Sequence, residues 1–122
     1  MEDQIQNPEH KMEALLMPKY LLQASYTAEG VKGVLKEGGS KRRAAVEKAM
    51  EALGGSVEQF YYSLGDDDVY VICSAPDNAT IAAVSMAVNA AGAVRLKTSI
   101  LLTPEEIDVA AKKTVNYRPP GK

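Results

Sequence analysis

Apolar and polar residues alternate with a period of two in four stretches of the chain, and a period near 3.6 fills the gaps between them. In Tyr20–Tyr26, Tyr20, Leu22, Ala24 and Tyr26 point one way, and Leu21, Gln23 and Ser25 the other. A second run sets Phe60, Tyr62 and Leu64 against Gln59, Tyr61 and Ser63. A third sets Val69, Val71 and Cys73 against Tyr70, Ile72 and Ser74. Gly65, Asp66 and Asp67 separate these two runs, and a loop of about three residues containing Gly predicts an antiparallel hairpin. The fourth run, Val94 to Leu102, sets Val94, Leu96, Ile100 and Leu102 against Arg95, Lys97, Ser99 and Leu101.

Between the strands the pattern turns helical. Thr27 offers an N-cap to a short helix through Val31, Val34 and Leu35, which Gly38 and Gly39 interrupt. Ser40 is placed to cap a second helix with Val46, Ala49, Met50 and Leu53 on its apolar face, ended by Gly54 and Gly55. Asp77 caps a third, lined by Ile81, Val84, Val88 and Ala91 and closed by Gly92. Thr103, Pro104 and Glu106 spell a capping box for a last short helix to about Lys113. Pro119 and Pro120 keep the tail NYRPPGK out of that helix.

The order is βαββαβ plus a terminal helix. Right-handed crossovers place the main helices on one face of a four-stranded antiparallel sheet, an α+β fold of ferredoxin-like topology. Leu53 and Val88 are expected in the core between helices and sheet. The other sheet face must meet solvent, another molecule, or both.

Composition narrows the class. A chain of 122 residues with 46% hydrophobic residues is one ordinary globular domain. Residues 1–17 are polar and weakly periodic and read as a disordered leader, dispensable to a domain spanning residues 18–122. A net charge of −2, with both signs spread along the chain, argues against a nucleic-acid surface. No apolar run approaches a membrane span, and MEDQIQNPEH lacks the pattern of a signal peptide, so the protein is expected in the cytoplasm.

Candidate chemistry is sparse. Asp66, Asp67 and Asp68 are adjacent carboxylates that cannot converge on one ion, so they read as a solvated turn. The lone His10 cannot build a metal site with Cys73, whose mid-strand position reads as a small buried hydrophobe. Neither a metal nor a cofactor is expected. The run GGSKRR gathers glycines, a hydroxyl and cations at a helix start, which suits an anion, but a solvated basic turn accounts for it as well. The uncovered sheet face holds more promise. Parity puts Arg95, Lys97 and Ser99 there, with Gln23, Ser25, Gln59, Tyr61 and Ser63. Tyrosines, amides and cations on one face suit a small anionic or aromatic ligand, or a polar subunit interface.

The stretches KYLLQASYTAEGVKG, GGSKRRAAVEKAMEALGG, LGDDDVYVICSAPD and VNYRPPG together resemble the GYD-domain family of small bacterial proteins, from about Pro18 to Gly121. The family is named for a Gly-Tyr-Asp motif after the second strand. Here Gly65 and Asp68 stand in the matching turn, with Asp66 and Asp67 in the space of the tyrosine. The resemblance implies a dimeric α/β-barrel-like ferredoxin fold and brings no known reaction. Two functions remain open. One is a homodimeric small-ligand-binding or interaction module, with Gln23, Tyr61, Asp68, Arg95 and Lys97 as ligand-binding candidates. The other is a cofactor-free enzyme similar to the monooxygenases and isomerases of the dimeric barrel type, which would draw its acid or base from Tyr61, Arg95 or Asp68. An RNA-binding module is disfavoured, because VYVICSA on the third strand lacks the aromatic RNA-binding pattern.

Overall fold

The computed structural model describes residues 17–122; His10 and all but Met17 of the expected leader lie outside that range. The elements are β1 (Lys19–Tyr26), α1 (Ala28–Glu37), α2 (Gly39–Ala52), β2 (Ser56–Tyr62), β3 (Val69–Ser74), α3 (Asn78–Ala91), β4 (Val94–Leu101) and α4 (Pro104–Ala111). The four strands form one antiparallel sheet in the order β2-β3-β1-β4, the ferredoxin-like arrangement.

Local chemistry explains most boundaries. The Thr27 side chain accepts from the Gly30 amide, the Asp77 side chain from the Thr80 amide, and Thr103 and Glu106 form the full reciprocal capping box. The break between α1 and α2 falls at Gly38, whose φ of 86° only glycine adopts without strain. Gly38 itself is the N-cap of α2, without a side-chain bond, and Ser40 lies inside the helix rather than at its start. Helix α4 ends at Ala111, slightly short of the expected Lys113.

The core lies between the helices and one sheet face. Tyr20, Leu22 and Ala24 of β1 pair with Cys73, Val71 and Val69 of β3, and all six are buried with Met50, Ala75 and Ile81. Val46, Val57, Phe60, Val84, Val94 and Leu96 pack around them. Tyr20 is buried with its hydroxyl donating to Asn78 Oδ1 at 2.6 Å, so its polar end is satisfied at the start of α3. Burial pushes the Cys73 thiol up to about 11, with the nearby Glu58 charge adding to the effect. A protonated thiol without access is a poor nucleophile, in keeping with its reading as a core residue.

Two expectations about side-chain placement need correction. Leu53 is 46% exposed, because α2 ends at Ala52 and Leu53 belongs to the turn that leaves it. Val88 is half-buried, but Ala91 is exposed at the end of α3. The hairpin loop is also longer than three residues. The strands stop at Tyr62 and Val69, Leu64 projects fully into solvent, and the Ser63 amide donates to the Asp68 carbonyl across the loop mouth.

Candidate functional site

The sheet face turned away from α1, α2 and α3 carries the candidate site. Register sets its side chains in rows across the four strands. Ser56, Ser74, Lys19 and Leu101 form one row. The next holds Gln59, Ile72, Leu21 and Ser99. Then come Tyr61, Tyr70, Gln23 and Lys97, and finally Ser25 beside Arg95. Neighbouring strands lie about 4.8 Å apart, so the row from Tyr61 to Lys97 spans on the order of 14 Å. Four of the five expected ligand-binding residues therefore share this face: Gln23, Tyr61 and Lys97 in one row, and Arg95 in the next. The pairing of β2 with β3 slips between Val57 and Gln59, so Glu58 is an extra residue. Glu58 forms an ion pair with Lys19, two strands away. The face is thus polar at both ends, with Leu21 and Ile72 half-buried between them and Leu101 half-buried beside Lys19.

The centre of the polar cluster is a residue that sequence reasoning passed over. Asp67 is not solvated: it is 5% exposed. Its Oδ1 accepts from the Ser25 hydroxyl at 3.0 Å, and its Oδ2 accepts from the Gln23 amide nitrogen at 3.1 Å. The Lys97 ammonium lies 3.1 Å from Oδ2. These partners, Lys97 foremost, hold the Asp67 carboxyl below the usual carboxylate range against the opposing effect of burial. Asp68 has a different job. Its amide donates to the Ala24 carbonyl at 2.8 Å and its carboxylate accepts from the Tyr26 amide at 2.8 Å, so it ties the loop to the end of the central strand. Asp66 remains exposed.

The Asp67 pairing contributes stability while the carboxyl is ionised. A depressed folded pKa means that this contribution is full above the unfolded value of about 3.8 and is lost as pH falls below it. Asp67→Asn is therefore expected to be less stable than the wild type at pH 7, with the gap narrowing as pH falls below about 4. Urea denaturation at pH 7 and pH 3 measures both; a gap that stays constant would mean that the charge is immaterial.

Elsewhere the candidates fall away. Arg42 lies 3.7 Å from Glu37 and Arg43 lies 3.8 Å from Glu47, so two cations of GGSKRR meet carboxylates of neighbouring turns. The Gly39 carbonyl accepts from the Tyr62 hydroxyl at 3.2 Å. This leaves the basic-turn reading. A shallow groove of about 330 Å³ runs beside β2 between Arg43, Glu47, Val57, Glu58, Gln59, Phe60 and Tyr61, so Tyr61 borders it as well as the open face. Among the described residues, no group of three His, Cys, Asp or Glu side chains is placed to hold a metal, and no helix is long and apolar enough to cross a membrane.

Fold and site together define a ferredoxin-like α+β domain whose free sheet face carries a buried carboxylate delivered by the β2–β3 loop. The family model of the GYD domain matches residues 20–111, and the chain belongs to that family. No curated protein and no solved structure matches the chain.

Proposed function

We propose that residues 18–122 act as a homodimeric module that binds a small ligand between two stacked sheets. The observation that carries this reading is the composition of the free face: half-buried Leu21, Ile72 and Leu101 lie on one face with a tyrosine pair and the Asp67 cluster, away from α1, α2 and α3. A two-layer domain leaves such a face open, and an isologous two-fold pairing covers its apolar belt while leaving the polar ends around a cavity. Tyr61 and Tyr70 are cross-strand partners there. Their rings and hydroxyls, with Gln23 and Lys97, suit a small anionic or aromatic ligand. The bonds within the Asp67 cluster fix Gln23 and Lys97 in place before any ligand arrives. Binding is favoured over catalysis because Asp68, one of the few available acids or bases, is committed to the Tyr26 amide. The free, buried Cys73 suits a reducing cytoplasm.

Sedimentation velocity tests the reading. The wild type is expected to sediment as a dimer at about 50 μM, a concentration that populates interfaces of micromolar affinity. Tyr61→Asp places a carboxylate in the middle of the face, where pairing would desolvate it without a partner, and should give a monomer. A wild-type monomer at that concentration would overturn the proposal. Native mass spectrometry of the dimer then shows whether it carries a small molecule.

A further inference from the structure

The segment after β4 is built but unsupported. Every residue from Leu102 to Lys122 is exposed. Yet α4 is a well-specified helix, with a reciprocal capping box and Pro104 in its first turn. An isolated helix of eight residues is marginal in water, because nucleation is costly and few bonds offset it. Caps contribute only about 1 kcal/mol, so such a helix normally depends on a surface to pack against. Helical spacing puts Ile107, Ala110 and Ala111 on one side, Asp108 at its flank, and Glu105 and Lys112 on the other side. Ile107 is 51% exposed, and the apolar side has no cover within the described chain.

The domain has matching deficits. The sheet has two edges. The β2 edge is bulged at Glu58, a device that discourages pairing with another strand. The β4 edge is regular, with eight consecutive pairs to β1 and no register shift, and no described strand pairs with its outer side. On the free face of β4, the Arg95 side chain makes no hydrogen bond or ion pair among the described residues, whereas Lys97 pairs with Asp67. Glu105 and Asp108 of α4 are likewise without ion-pair partners.

We propose that, in the homodimer put forward above, α4 of each protomer packs along the β4 seam of the other. Asp108, at the flank of the apolar side, then meets Arg95 of the partner subunit, and the Ile107–Ala110–Ala111 side closes the edge of the stacked sheets. The inference rests on the sheet-face dimer. A two-fold axis that runs the two β4 strands in opposite directions brings the Leu101 end of one against the Arg95 end of the other. Helix α4 begins three residues past Leu101, so its start, with Asp108 one turn in, leaves the sheet at that point. The charges are complementary, and the same operation repeats the contact at the other end. An exchanged arm also covers the regular edge that the described strands leave unpaired.

Hydrogen exchange of the full chain, read by mass spectrometry over peptides covering residues 104–111 above and below the dimer midpoint, tests this. Slow exchange of these amides only where the dimer is populated is the expected result. Slow exchange in the monomer as well would place α4 on its own chain, and fast exchange in a dimer would leave it undocked; either overturns the inference while the sheet-face dimer stands. Absence of a dimer at any concentration would overturn both. Ile107→Asp and Arg95→Glu provide the second reading. Both residues are exposed in the protomer, so the fold should hold, and each should raise the dimer dissociation constant by about tenfold or more. An unchanged constant in both variants would also overturn the arm contact.

Discussion

Gly30→Ala should lower stability by about 3 kcal/mol, a large share of what a domain of this size possesses. Gly30 is buried in the first turn of α1, and a β-carbon there would sit 2.1 Å from the Ala93 carbonyl oxygen and 2.9 Å from the Tyr26 ring. The first of these is backbone and cannot swing aside. That same oxygen accepts from the Thr27 amide at 3.0 Å and from the Thr27 hydroxyl at 3.2 Å. A methyl group at Gly30 would therefore push apart the β1–α1 junction and the α3–β4 turn, and strain the bonds that join them. Gly33, one turn later, is the control. A β-carbon there meets nothing within 4 Å, so Gly33→Ala should raise stability by about 0.5–1 kcal/mol through helix propensity. Urea midpoints for the two variants should move in opposite directions. A neutral Gly30→Ala would mean that the two turns are not in contact in solution.

The second large effect is expected at Met50. It is 1% exposed, the one fully buried side chain of α2, and it belongs to the central cluster with Tyr20, Leu22 and Val71. Met50→Ala removes a long side chain from a packed site and should cost about 2–5 kcal/mol. Leu53→Ala, one turn on, should cost less than about 1 kcal/mol, because Leu53 is already partly in water. Thermal or urea denaturation of the pair decides the orientation of α2. Equal losses would return Leu53 to the core.

The contrast between Met50 and Leu53 shows where the reading of the sequence reaches its limit. Helical spacing correctly put Met50 on the inner face of α2, and carried one step further it put Leu53 there too. What ended the pattern was the helix terminus. The Met50 carbonyl accepts from the amides of Leu53 and Gly55, turning the chain so that Leu53 no longer follows the face it would occupy in a longer helix. Strand parity survived far better, because a period of two is set by the backbone itself. The parity of β1, β3 and β4 was readable from the sequence, although Ile100 is 56% exposed and Leu102 lies past the end of β4, and the bulge at Glu58 did not disturb the parity of Gln59 and Tyr61 beyond it. Caps at Thr27, Asp77 and Thr103 were legible because the bond is made within three residues. Asp67 was not, for the opposite reason. Its partners at Gln23, Ser25 and Lys97 come from strands far away in sequence, and no local pattern separates a carboxylate in such company from one in water. Asp68 joined the candidate list by its place in the turn, and its work is on the backbone of β1.

The strand order has a consequence for how the protein comes to exist. Of the four described strands β1 is made first, and it ends in the middle of the sheet, between β3 and β4. Its pairing with β4 joins Lys19 to Leu101 and Tyr26 to Val94, so the last of its hydrogen bonds must wait until most of the chain has been translated. The β2–β3 hairpin, by contrast, pairs neighbours and can form as soon as it emerges. During synthesis Tyr20, Leu22 and Ala24 are therefore exposed on a strand with one or both edges open. That is the kind of segment on which a chaperone, or a second nascent chain, would act.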